Sequence, residues 1–256
     1  MRAFVAFLKK ECLAQLRGGK LAILLGVFFL LGIMNPAVAK LTPWLLETLS
    51  ESVEGGIALP TVTEITALDC WVQFYKNLPI GLIVFIIVEG GIFTREYSSG
   101  TLVLSLTKGL SRYKVVLAKA AVLTVLWSVC YLLCFAITYI SGDLFWDNSV
   151  AGNICFAVFS WWLFGMLAVA LVTLFSILSA SSVGVYLGTG GVILASYAVG
   201  MLPKVGKYLP TMLADGNSLI NGTLGAGDYT AATVITSVLI VGSLSLAVPI
   251  FNKKQM

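Results

Sequence analysis

The chain reads as an all-α polytopic membrane protein with six transmembrane helices, and three observations predict it. Of its 256 residues, 59% are hydrophobic and 11% are charged, whereas an ordinary soluble domain carries roughly 25% charged residues. The apolar residues arrive in six blocks, each close to the ~20 residues that a helix needs to cross a hydrocarbon core of ~30 Å. No stretch keeps the apolar-polar alternation of a lipid-facing strand, so a membrane β-barrel does not fit and a helical bundle does.

The elements follow in order. Ahead of the first block, Phe4, Val5, Leu8, Cys12 and Leu16 fall on one arc at about 100° per residue, with Arg2, Lys9, Lys10 and Arg17 on the neighbouring arc. Phe7, Leu13 and Gln15 interrupt that division. One reading is an N-terminal interfacial helix on the inner leaflet, its basic side toward anionic headgroups; the other is a plain basic flank of the first span. The expected spans are 21–39, 71–93, 115–140, 154–178, 183–202 and 231–250, within a single transmembrane domain covering 1–256. Residues 21–34 also resemble a signal-peptide core, with Ala37, Val38 and Ala39 as a small-residue cleavage site. Retention is the expectation, because the charged region before the core is long and five more blocks follow.

Orientation follows from the cations, since short cytoplasmic loops hold Lys and Arg. Arg2, Lys9, Lys10, Arg17 and Lys20 precede span one; Arg95, Lys108, Arg112, Lys114 and Lys119 lie between the body of span two and that of span three; Lys253 and Lys254 follow span six. These are twelve of the sixteen, and the other side holds Lys40, Lys76, Lys204 and Lys207 with nine of the twelve acidic residues. Both termini are therefore expected in the cytoplasm, with the chain in the cell membrane. The net charge of +4 is a topology signal and gives no reason to invoke nucleic acid.

Most catalytic chemistry is excluded. There is no histidine, which removes Ser-His and Cys-His pairs and His-ligated metals. No phosphate-binding loop of the form Gly-x-x-x-x-Gly-Lys-Ser/Thr occurs, and Gly18, Gly19, Lys20 is not one. Gly225, Ala226, Gly227, Asp228 does match the Gly-x-Gly-Asp pattern of intramembrane aspartyl proteases, which need two carboxylates sharing a proton. Asp228 instead falls in a Gly-rich loop before span six, and no other span contributes an aspartate. The five cysteines, Cys12, Cys70, Cys130, Cys134 and Cys155, read as buried free thiols. Neither a catalytic residue nor a metal ligand is expected.

Glu89 is the one ionisable residue well inside a span, which makes it a candidate for gating or cargo contact; the alternative is that it reaches the inner interface or pairs near Arg95. Gly184 and Gly188, at four-residue spacing, suit close helix approach, within the bundle or between subunits. The loop from Phe93 to Lys119 is the least expected feature. Leu102, Leu106 and Leu110 follow one helical face there, and Thr101, Ser105, Lys108 and Arg112 the other. Ser98 or Ser99 would cap the start of such a helix, Gly109 its end, and Ser111 would cap span three.

Glu96, Tyr97, Ser98, Ser99, Gly100, Thr101 and Leu102, followed by Ser111, Arg112 and Lys119, resemble the Glu-x-x-x-Gly-Thr, Ser-Arg, Lys pattern between the second and third spans of ABC-2 type ABC-transporter permeases, including bacterial exporters of drugs and antimicrobial peptides. That family often has a proline just before the Ser-Arg pair, where this chain has Lys108, Gly109 and Leu110. The resemblance implies a transmembrane permease subunit and not an enzyme, paired with a second copy or a related permease. It implies docking onto separate cytoplasmic ABC ATPase subunits that carry the ATP and magnesium, with no cofactor on this chain. Glu96, Tyr97, Gly100, Thr101, Leu102, Leu106 and Arg112 would form or brace a coupling helix against the ATPase. Short helices are implied for the 203–229 loop. An ATPase-linked assembly factor would share these features, and a membrane aspartyl protease using Asp228 would not.

Overall fold

The computed structural model describes residues 2–52, 65–102, 107, 111–202 and 204–254. Among them every regular element is helical. Helix α1 (Arg2–Arg17) turns into α2 (Lys20–Ser52) through Gly18 and Gly19, and Gly19 takes a φ of 70° that a side chain would strain. Helix α2 runs well beyond the expected 21–39 through Pro36 and Pro43; the Thr42 hydroxyl donates to Val38 O at 2.7 Å beside the second proline.

Helix α3 (Ala67–Glu89) is offset by four residues at each end from the expected 71–93. It starts early because the Asp69 carboxylate accepts the Thr66 N–H at 2.9 Å. It stops early at the Gly90–Gly91 pair, after which a turn leads into the short α4 (Thr94–Ser98). Helix α5 (Arg112–Phe145) follows, then α6 (Ile154–Leu178), which matches its expected bounds, and α7 (Ser182–Gly200). The Ser181 hydroxyl caps α7 by accepting from Gly184 N–H, whereas Ser111, expected to cap α5, makes no such bond. Single helical turns at Gly206–Tyr208 and Pro210–Ala214, the short α8 (Gly216–Ile220) and a turn at Ala226–Tyr229 lead to α9 (Thr230–Lys253).

Six helices are long and apolar enough to cross a membrane: α2, α3 with its extension through α4, α5, α6, α7 and α9. The chain is a helical bundle of multi-pass membrane character. Helix α2 lies along α3 and α5, and α6 is enclosed by α5, α7 and α9. Helix α6 is the most buried of the six and α7 the least. Trp127 packs edge-on against Phe28 and Phe85 and stacks on Tyr131. A Cβ at Gly165 would overlap the Trp127 ring, so a glycine at that position is what lets α6 approach α5 so closely. The turns between α7 and α9 bury Leu213, Leu219 and Tyr229, and Trp161 of α6 donates to Ala214 O at 2.9 Å.

Side-chain contacts show that the six long helices alternate in direction. One end of the bundle gathers α1, the starts of α2, α5 and α7, and the ends of α3, α6 and α9. This is the end that carries the first and last described residues, Arg2 and Lys254, and most of the described cations. Three thiols, Cys70, Cys130 and Cys134, are buried as expected, but Cys12 and Cys155 are exposed.

Candidate functional site

The buried face of α1 is not the apolar arc that periodicity predicts. It is Phe7, Glu11 and Gln15, spaced by four, while Val5, Leu13 and Leu16 are exposed. The reason lies in α5, where Lys119 is 1% exposed and its ammonium needs counter-charge. The Lys119 Nζ lies 2.8 Å from Glu11 Oε2 and 2.9 Å from Glu96 Oε2. Lys10 Nζ lies 3.0 Å from Glu11 Oε1 and 2.6 Å from Glu96 Oε1. Two carboxylates and two ammoniums therefore alternate in a closed ring that joins α1, α4 and α5 with no net charge. The Glu96–Lys119 side is an ion pair whose angle falls outside a hydrogen bond. Lys119 also donates to Ile92 O at 3.1 Å and stands 5.3 Å from the Phe93 ring centre. Burial works against the Lys10 charge, but the hydrogen bonds to Glu96 and Glu11 prevail and raise its pKa above the ordinary lysine value.

Glu89, fully buried, ends α3 beside this ring. Its Oε2 accepts from Gln15 Nε2 at 2.7 Å and from Lys20 Nζ at 3.2 Å. The partners come from α1 and the start of α2, and Arg95 is not one of them. Glu89 thus belongs to the charged end of the bundle and not to its middle. Its Oε1 and the Gln15 Oε1 are buried without a hydrogen-bond partner.

Three cations close three helix ends. A helix leaves its last four carbonyls unpaired and carries partial negative charge there. Lys119 takes Ile92 O just after α3, with Ser176 donating to Gly90 O and Tyr186 to Ile87 O. Lys254 Nζ donates to Ile177 O at 2.5 Å and contacts Ser179 O at the end of α6; burial lowers its pKa. Arg112 Nη1 donates to Phe251, Asn252 and Lys254 carbonyls at 2.8, 2.9 and 2.8 Å at the end of α9.

Against the sequence expectations, several placements differ. Leu102, expected on a face offered to a partner, is 1% exposed and buried in the chain's own core. Leu106 lies outside the described residues, as does most of the segment expected to form the helix around it. Among the described residues Arg112 holds the C-terminal tail. Tyr97 is half-buried, with its ring 6.5 Å from Phe251 and 4.2 Å from Lys254 Nζ, while Gly100 and Thr101 are exposed. Gly188 packs against Phe175 and Gly184 against Ser179, so both serve approach within the chain.

Glu11, Gln15, Lys20 and Lys254 are residues that pattern reading missed as a site, and Lys119 entered it only as the last residue of the permease-like pattern. A signal existed for two of them. Glu11 is the only acid among the first 46 residues, and Lys119 stands in an otherwise apolar run. A second missed cluster is neutral: Asn35 of α2 donates to Thr138 of α5 at 2.9 Å and accepts from Asn77 of α3 at 2.8 Å.

At the opposite end Asp228 is exposed and accepts the Gly225 N–H at 2.9 Å, while Asp215 caps α8 through Ser218. These are capping roles. No group of three or more Cys, Asp or Glu suited to a metal occurs among the described residues. No family model, curated protein or solved structure matches the chain.

Proposed function

We propose that the chain is the membrane-spanning permease subunit of an ATP-driven exporter in a bacterial cell membrane, with both termini and the charged end in the cytoplasm. A separate ABC ATPase binds the loop between α3 and α5 and supplies ATP hydrolysis with magnesium, and a second permease completes the transporter. The observation that carries this reading is the ring. Glu96 and Lys119, the first and last residues of the permease-like pattern, meet each other and are tied to Lys10 and Glu11 of α1. A loop fastened in this way moves together with α1 and α5 when pushed, whereas a loop that only linked two spans would absorb the push. The Arg112 clasp extends the connection to α9. Force applied at the loop thus reaches several helices at once, as rigid-body rocking requires.

The chain has no nucleotide site of its own in this account, so coupling has to be mechanical. Purification of the tagged chain from its native membrane recovers an ABC ATPase, and a cysteine at exposed Ser99, in a background lacking Cys12 and Cys155, crosslinks to it. In intact cells Ser99→Cys resists a membrane-impermeant thiol reagent while Asn221→Cys reacts. Reaction at Ser99 from outside reverses the orientation, and a chain that purifies without any ATPase removes the coupling reading.

A further inference from the structure

A cavity of about 300 Å³ lies between α1, the start of α2 and α5, its walls including Leu8, Cys12 and Leu16 on one side and Val122, Val125 and Val129 on the other. It opens sideways where Leu16 and Val125 are 59% and 60% exposed. Gln15 is its only polar lining residue, and the Gln15 amide nitrogen is engaged with Glu89. Water needs two to four polar partners to settle in a cavity, and apolar cavities of even ~150 Å³ stay dry yet take an apolar guest. In a chain whose helices stand in a bilayer, the apolar guest at hand is an acyl chain. The charges of α1 select its headgroup. Lys10 and Glu11 are consumed in the ring, but Lys9 and Arg17 are exposed, and no ion pair among the described residues uses either.

We propose that this crevice binds one anionic phospholipid, with an acyl chain between α1 and α5 and the phosphate held by Lys9 and Arg17. The lipid is then a wedge beside the ring, since Val122 follows Lys119 by less than one helical turn, and it sets how closely α1 approaches α5. The inference requires a bilayer but no ATPase, so it stands or falls separately from the exporter reading.

The test uses the full chain in vesicles of phosphatidylcholine that contain a trace of phosphatidylglycerol with a photoactivatable acyl chain, and peptide mapping of the adducts. Adducts concentrate on the crevice walls. Val125→Trp and, from the opposite wall, Leu16→Trp remove most of them while adducts at the exposed Val238 and Val241 of α9 persist. The anionic probe outlabels a phosphatidylcholine probe by roughly thirtyfold, the preference two cations near a surface confer, and Lys9→Gln with Arg17→Gln brings the two probes level. Crevice labelling unchanged in both tryptophan variants, or equal labelling of the wild type by both headgroups, overturns the proposal.

Discussion

At the charged end of the bundle the carbonyls that close α3, α6 and α9 are taken by Lys119, Lys254 and Arg112. At the other end the last turns of α5 are held by a neutral amide, with Asn148 Nδ2 donating to Tyr139 O at 3.0 Å and Trp71 Nε1 donating to Asn148 Oδ1 at 3.1 Å. The short turns there are closed by Asp215, Asp147 and Tyr229 through local bonds. Both ends satisfy backbone groups that a bilayer cannot, but they differ in reach. The opposite end mostly fastens neighbours, whereas the cation-rich end ties the N-terminal helix, a loop and the C-terminal tail into one connected set. The cations that indicate topology are therefore structural parts in their own right. A lysine that merely kept its loop in the cytoplasm would not be 1% exposed, as Lys119 is.

Substitutions at the two ends sharpen this contrast. Lys119→Met leaves Glu11 and Glu96 short of their buried partner and should cost about 3–5 kcal/mol, the range for breaking a buried pair from one side. Thermal unfolding of the detergent-solubilised chain reads the loss, and adding Glu11→Gln and Glu96→Gln should recover part of it. Arg112→Ala strips three charge-assisted bonds from the end of α9 and should cost about 1.5–3 kcal/mol. It should also speed hydrogen exchange at residues 248–254, an effect that a purely electrostatic role at a distance would not produce. Asn148→Leu, at the opposite end, should cost about 1–3 kcal/mol through the orphaned Trp71 N–H and Tyr139 carbonyl, with exchange changes confined to the α5–α6 turn. Asp228→Asn keeps the local cap and should leave stability and any proteolysis of membrane substrates unaltered; a specific loss of peptide cleavage would instead revive a catalytic role for that aspartate.

The bundle was legible in the sequence because hydrophobic blocks of membrane length have few other fates, and the α6 boundaries match to the residue. What escaped was the set of partners across helices. Periodicity ranks positions by polarity, so Gln15 read only as an interruption of the apolar arc of α1 and Glu11 drew no notice, whereas Lys119 on a distant helix draws that face inward. For Glu89 the sequence left a gating position and the inner interface both open, and what it could not supply was the partners: α3 ends at Glu89, and Lys20 and Gln15 arrive from chain segments some 70 residues away in sequence. The leucine face that includes Leu102 suited a groove on a partner or the chain's own bundle, and the fold shows the core that Leu102 enters. The residues carrying the family-like pattern were recognisable by type and spacing, while the closure of Glu96 on Lys119 depended on α1, which the pattern does not contain.

A double-mutant cycle on Glu11 and Lys119 tests most directly whether the charged end is a fastened junction. Glu11→Gln, Lys119→Met and the double variant would be compared with the unaltered chain by reversible unfolding in the same detergent. A coupling energy of at least about 2 kcal/mol is expected for contacting buried charges that share one network. A coupling below about 0.5 kcal/mol, the level of independent sites, would mean that α1 and α5 are not joined through this ring, and the account of a loop that moves both helices would lose its basis.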